Sequence, residues 1–352
     1  MSSPLRVRLM TRGDLPFADS VRAQAGWNQT LIDWERFLAL EPDGCFLAEW
    51  NGAPAYELSE RTALPLPVRN ERGEGRREGH STAHATTHLQ ARRPSSPHPS
   101  PLSAGGEGEE SGALNRNTPA GTATTTVYGP ELGWIGMMLV HPDHRRRGIG
   151  RALLERCIEY LRGRGVRCIK LDATPVGKKL YDGLGFADEW PLTRWEHVGL
   201  DPGRAMIDPR VRPWREADVR MIDPFDSIAF GVSRQRLVRA LAQQSRCALV
   251  LESEPDRIEG YGLLRSGSCA LYLGPVVAVS EDTAHRLIQA LLAHGRGEKI
   301  FWDIPDQNIA AVEWARAHDF TPQRSLTRMY LVENTTSGDA KKQFALAGPE
   351  FG

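Results

Sequence analysis

The chain has 352 residues, more than one ordinary domain uses and enough for two that each bury a core. Lysine plus arginine and aspartate plus glutamate number 44 each, so no net field draws the molecule toward nucleic acid or an anionic membrane, and a small-molecule partner is the simpler expectation. No apolar run approaches the ~18 residues of a membrane span, the first residues do not read as a signal segment, and the five cysteines include no C-x-x-C pair. The expectation is a cytoplasmic protein with reduced, mostly buried thiols and no metal.

In chain order, RVRLMTRGD (6–14) leads into GWNQTLIDWERFL (26–38), where Trp34 and Phe37 at i, i+3 read as the buried face of a helix. CFLAEWNGAPA then alternates as a strand toward the Asn51-Gly52 turn signal. Residues 56–120 change character. Crowded with Gly, Pro, Ser, Arg and Glu, they cannot bury enough apolar area to offset chain entropy and are expected to be a disordered insertion in a hairpin loop. His80, His84 and His88 lie within this stretch at i, i+4, i+8; the surrounding Thr, Ala and Gly argue against a metal site. GTATTTVYG resumes the hairpin as its second strand.

The chain repeats itself. RVRLMTRGD at 6–14 returns as RVRPWREAD at 210–218, and LYDGLGF (180–186) has a weaker counterpart in WARAHDF (314–320). Removing 56–120 makes the two repeat spans nearly equal. The expected organisation is one domain over 1–198, a linker over 199–205, a second copy over 206–333 and a tail over 334–352. The tail ends FALAGPEFG and is expected to fray on terminal position, with docking as the alternative.

Chemistry concentrates in the first copy. GWIGMMLV (133–140) is an apolar run of strand length, followed by His141-Pro142-Asp143 and the amphipathic RRRGIGRALLERCIEYLRGRG. Gly148 and Gly150 permit a tight turn that aims free N–H groups and the helix dipole at one point, a geometry that binds phosphate. A Walker loop would need Gly-Lys-Ser/Thr, and a dinucleotide fingerprint a glycine where Leu153 stands. What remains is Arg145-x-x-Gly148-x-Gly150 after a strand ending in Val-x-Pro. This resembles the coenzyme A pyrophosphate loop of the GNAT acetyltransferase superfamily. Downstream, VRCIKLDAT and PVGKKLYDGLGF match the superfamily's following strand and helix through Thr174, Gly177, Leu180, Tyr181, Gly185 and Phe186; Thr174 and Gly177 replace the commoner Asn and Ala.

The resemblance covers most of 5–198 and implies an α+β (αβα) GNAT fold, with a mixed, mostly antiparallel twisted sheet whose fourth and fifth strands splay apart, in two tandem copies. It implies acetyl-CoA as co-substrate, held by the backbone of Met138, Leu139 and Val140, by the amides of Arg146, Arg147, Gly148, Ile149, Gly150 and Arg151, and by Arg145 and Thr174. It implies Tyr181 as the general acid for the departing thiolate, and direct attack by a primary amine on the thioester. Glu131 and Asp172, with His141 behind them, are candidate bases. Trp27, Asn28 and Asp33 fall where the superfamily's first helices overhang the acceptor, although a helix-core role for this stretch is equally good.

The second copy resembles a degenerate GNAT-like domain. YLGPVVAVSEDTAHRL lacks R-x-x-G-x-G, Ser280-Glu281-Asp282 stand where the pyrophosphate would lie, and Ala315 takes the tyrosine position. Expected functions are a small-molecule amine acetyltransferase or, alternatively, a non-catalytic acyl-CoA sensor or a protein N-terminal or lysine acetyltransferase. Neither nucleic acid nor membrane is expected as a partner.

Overall fold

The computed structural model describes residues 4–51, 117–199 and 208–352. Most of the segment expected to be disordered, including His80, His84 and His88, and most of the expected linker lie outside these residues. The first half runs β1 (Leu5–Leu9), α1 (Leu15–Gln24), α2 (Leu31–Leu40), β2 (Cys45–Trp50), β3 (Thr118–Val127), β4 (Leu132–Val140), α3 (Ile149–Gly163), β5 (Cys168–Ala173), α4 (Pro175–Asp182) and β6 (Ala187–His197). The second runs β7 (Val211–Pro213), α5 (Val219–Phe230), α6 (Gln235–Gln243), β8 (Cys247–Glu254), β9 (Arg257–Arg265), β10 (Leu271–Ala278), α7 (Glu281–Ala293), β11 (Ile300–Pro305), α8 (Ile309–Ala317), β12 (Thr321–Val332) and β13 (Gln343–Ala345). No described helix is long and apolar enough to cross a membrane.

The repeat seen in the sequence is a repeat of interactions. Arg8 makes a bidentate pair with Asp14 at 2.7 and 2.8 Å and reaches Glu49, while Arg212 pairs with Asp218 at 2.8 and 2.9 Å and reaches Glu252. Each fork ties a first strand to its neighbour and to the turn before its first helix. The hairpin also forms, with Trp50 opposite Thr118 and Ala48 opposite Gly121. The insertion therefore ends earlier than composition suggests: Thr118, Pro119 and Ala120 belong to β3. Pro119 is tolerated because the register shifts between Ala48 and Glu49, and a bulge there needs no donor from it.

Alternate residues of β2 pack on opposite faces, as period two requires: Phe46 and Ala48 under α3, Cys45 and Leu47 with α1 and α2. The result is helix, sheet, helix. Trp34 and Phe37 are buried core residues of α2.

One sheet contains both copies, in the order β1-β2-β3-β4-β5-β12-β6-β11-β10-β9-β8-β7. The last strands are exchanged. β12 lies between β5 and β6 of the first copy, and β6 lies between β12 and β11 of the second. Each exchanged strand carries a Thr-Arg pair whose arginine lands on a buried aspartate of the other copy. Arg194 of β6 grips Asp303 of β11 with two bonds of 2.7 Å, and Arg328 of β12 grips Asp172 of β5 at 2.9 and 3.0 Å. Both guanidinium groups are also held by aromatic faces, Arg328 at 4.1 Å from Trp190 and 4.6 Å from Trp134, Arg194 at 5.1 Å from Phe301.

The tail docks, against the expectation that it frays. Phe344 through Ala347, together with Phe351, are buried, and their apolar side chains supply the area that a polar terminus lacks. Its carbonyls are taken by long-range donors: Trp302 to Phe344 at 2.8 Å, Trp134 to Pro349 at 3.0 Å, and Tyr128 to Phe351 at 2.8 Å. β13 pairs with β10 at Val276 and Val277, and Leu346 N–H bonds Asp303 O at 3.0 Å, so the tail fills the gap where β10 and β11 stop pairing after Leu273 and Trp302.

Removing Arg194 leaves Asp303 buried and charged. Arg194→Ala should lower the unfolding free energy by about 3–5 kcal/mol, whereas Arg194→Met with Asp303→Leu should recover most of the loss. Urea midpoints of the two variants decide this, and an unchanged midpoint for Arg194→Ala would show that the pair does not hold the exchanged strands.

Candidate active site

β4 and β5 run parallel and pair from Leu132 with Cys168 to Trp134 with Lys170, and there the ladder ends. Two features keep it open. Met137 sits at φ +50° in a bulge against β3, where Thr122 Oγ1 donates to its carbonyl at 3.0 Å, and the tail backbone crosses β4 at Gly136. A Cβ on Gly136 would lie 2.6 Å from the Glu350 carbonyl, so only glycine admits the crossing. The splayed strands line a cavity of about 560 Å³, with Met138, Leu139 and Val140 on one wall and Leu171, Asp172 and Thr174 on the other.

At the outer end, Arg146 and Gly148 both take positive φ, +61° and +78°, and α3 begins at Ile149. No side chain caps α3, so its first N–H groups remain for a ligand. A Cβ at Gly148 would meet nothing within 4 Å, yet the backbone angle itself demands glycine. This uncapped cradle suits a pyrophosphate. The expected residues divide here: Arg145 lines the cavity and anchors its Nε on Val140 O at 3.2 Å, whereas Arg147 lies over Trp50 at 5.0 Å and Arg151 pairs with Glu155 at 2.8 Å. Ile149 is buried beneath the helix. Arg147, Ile149 and Arg151 thus have only backbone to offer.

Tyr181 projects from α4 into the same cavity. Thr174 lines the cavity and caps this helix by accepting from Gly177 N–H at 3.2 Å. Gly177 has its own reason: a Cβ there would lie 3.1 Å from Tyr181 Cε2, so its absence lets the ring lie back over the first turn. Burial pushes the phenol up to about 12, which keeps it protonated and able to donate.

The acceptor end departs from expectation. Trp27 lines the cavity. Asn28 is structural: its side chain accepts from Cys269 and Ala270 N–H at 3.0 and 2.9 Å and donates to Ala270 O, binding the two copies together. Asp33 is spent on capping α2 through Thr30 and on Arg36. Glu131 is no candidate base, because it lies at the paired base of β4 and β5, half exposed, 3.4 Å from Arg167. Asp172 reaches the cavity only with its backbone. Its carboxylate is fully buried under Arg328, a cation that cannot be displaced without stranding both charges. His141 caps the short turn at 142–144.

Sequence reasoning missed two groups here. Glu350, from the tail, lines the cavity and accepts from Gln29 Nε2 at 2.8 Å; burial raises its carboxyl, with Arg265 opposing. Arg324, from the exchanged β12, lines it too. The signal for Glu350 was a lone acid within the apolar FALAGPEFG; Arg324 had none, since nothing local announces a strand exchange.

Comparison with known proteins agrees with this architecture. The model described as Acetyltransferase (GNAT) family matches residues 76–186, and that described as Acetyltransferase (GNAT) domain matches residues 222–345. The chain is 28% identical over 174 residues to a Bacillus subtilis protein named uncharacterized N-acetyltransferase YitH; the match covers 49% of this chain and 61% of that protein, so it spans about three fifths of its relative. A candidate acetyltransferase of Pyrococcus horikoshii superposes with TM-score 0.71 at 21% identity, covering 100% of this chain and 97% of the other. A tandem GNAT protein from the clavulanic acid biosynthesis pathway superposes at TM-score 0.53 and 13% identity, over 93% and 98%. With an uncapped helix start after a glycine turn, a splayed β4/β5 pair and two matched copies in one sheet, the chain belongs to the GNAT N-acetyltransferase superfamily.

Proposed function

We propose that this chain moves the acetyl group of acetyl-CoA onto the primary amine of a small molecule, in the cleft of its first copy. The observation that carries the reading is that Tyr181 lines one cavity with Val140 and Arg145, the residues that lead into the uncapped turn at the start of α3. The backbone of Met138 to Val140 and the N–H groups from Arg146 onward are the groups available to hold coenzyme A, with Arg145 beside them; bound there, the thioester supplies an activated acetyl carbon. The amine nitrogen bonds to that carbon as the carbon–sulfur bond breaks, and the sulfur takes the Tyr181 proton. The chain's own part is to orient, to exclude water and to move protons. Pro349 and Glu350 from the tail, with Leu326 from β12, close the far end, which favours a small acceptor over a polypeptide.

The second copy should not bind the cofactor. Its splay is occupied by β13, and its α7 is capped: Ser280 Oγ accepts from Thr283 N–H at 3.2 Å, with Glu281 and Asp282 in the first turn. Both features remove what the first copy leaves open.

Tyr181→Phe should reduce kcat by about 10²- to 10⁴-fold while leaving coenzyme A affinity unchanged. Stopped assays with chemistry rate-limiting would discard the assignment if kcat stays at the native value.

Titration calorimetry should give one acetyl-CoA site per chain. Gly150→Glu should abolish it without unfolding, since a Cβ at Gly150 meets Leu180 at an ordinary 3.4 Å while the new carboxylate faces the pyrophosphate. Two sites, or a site that survives the substitution, would place the cofactor elsewhere.

A further inference from the structure

The acceptor end of the cleft presents one anion and one cation that the transfer as described leaves unassigned. The nearby arginines differ in how they are satisfied. Arg194 and Arg328 are locked on Asp303 and Asp172, and Arg265 donates to the carbonyls of Gly274 and Ala347. Arg324 lines the cavity with its Nε buried and without a hydrogen-bond partner among the described residues. Burial, with Arg194 adding to it, pushes its guanidinium down to about 10; Asp303 and Glu350 oppose the shift without pairing with it. A cation held this way gains from an incoming anion.

Glu350 is the complementary group. It is the acidic lining residue whose side chain is not locked under an arginine, because Asp172 is. Its carboxylate is folded back over Gly348, where a Cβ would lie 2.6 Å from Oε1, and Gln29 fixes Oε2. It is thereby kept from closing on Arg324.

We infer that the acceptor is an amine that also carries an anionic group, an amino-acid-like molecule whose ammonium is received by Glu350 and whose anion pairs with Arg324. This rests on the acetyl-transfer reading. One ammonium proton passes to Glu350 before the nitrogen attacks, and the second replaces the proton that Tyr181 gives to sulfur, so the net reaction releases one proton. The base matters because an amine of pKa near 10 is only about one part in 10³ neutral at pH 7. The charged and titratable groups facing Glu350 are Asp33 and Arg36 of α2, Arg194 of β6, Arg265 of β9 and Arg324 of β12, with the phenols of Tyr128 and Tyr272.

The test is kcat/KM at fixed acetyl-CoA for matched probes that differ by a carboxylate: β-alanine against ethylamine, 4-aminobutyrate against propylamine, L-leucine against 3-methylbutylamine. At least one pair should favour the carboxylate by about 10- to 10²-fold, the worth of a charge-assisted hydrogen bond. Arg324→Met should erase that preference with the acetyl-CoA dissociation constant unchanged; Arg324→Gln serves if the methionine variant loses thermal stability. Glu350→Gln should slow both members by about 10²- to 10⁴-fold at pH 7, and its kcat/KM should then climb about tenfold per pH unit toward the amine pKa, because only neutral amine reacts. Equal use of both members in every pair, a preference that survives loss of Arg324, or a Glu350→Gln variant with the native pH profile would overturn the inference. Native protein that binds no acetyl-CoA, or binds it and acetylates none of the probes or any other amine, would instead sink the acetyl-transfer reading and this inference with it.

Discussion

The structure depends on two buried arginine–aspartate pairs that cross from one copy to the other. Arg194 on Asp303 and Arg328 on Asp172 occupy equivalent places in the repeat, each at the point where an exchanged strand meets a partner's buried carboxylate. Buried ion pairs add little net stability, but a strand that slips by one residue would turn its arginine to the opposite face and strand both charges. The pairs therefore select a register. That register is what brings Arg324 and Leu326 of β12 to the first copy's cleft, so the lining of that cleft is incomplete without the second copy.

The same economy explains what the second copy does. Its own cleft is filled by β13, and the chain that fills it continues across Gly136 to close the first cleft with Glu350 and to stack Phe351 on Phe37 at 4.5 Å. Two glycines at equivalent places make the path possible: Gly274 in β10 lies against the Leu346 carbonyl as Gly136 in β4 lies against that of Glu350. Filling one splay and lidding the other are a single act of one peptide.

Local chemistry was legible in the sequence. The strand, glycine turn and helix around Gly148, the short helix that carries Tyr181, and the repeat of RVRLMTRGD all depend on residues near one another along the chain, where spacing dictates geometry. What depends on distant pairing was not. Asp172 reads as an available carboxylate until Arg328, 156 positions away, is seen to cover it. Asn28 and Asp33 read as substrate contacts because polar residues near a cleft invite that role, yet one bridges the copies and the other caps a helix. Terminal position favours fraying, and in the tail the burial of Phe344 through Ala347 and Phe351 outweighs it.

The division of the cleft into two kinds of recognition follows from this contrast. On the proposed function, the cofactor end is made from backbone: turned amides, an uncapped helix and strand groups beyond the end of the β4/β5 ladder, produced by glycine placement within a few residues. Such a site follows from a local motif and does not use the side chains of Arg147 and Arg151, which lie on Trp50 and Glu155. The acceptor end is made from side chains delivered by three separated pieces of chain, Trp27 and Gln29 after α1, Arg324 on β12, and Glu350 in the tail. Its charge pattern can change without disturbing the cofactor end, because the two ends share only the walls of β4 and β5. On the proposed function, acceptor choice is therefore governed by the exchanged strand and the tail, the parts that the second copy holds in place.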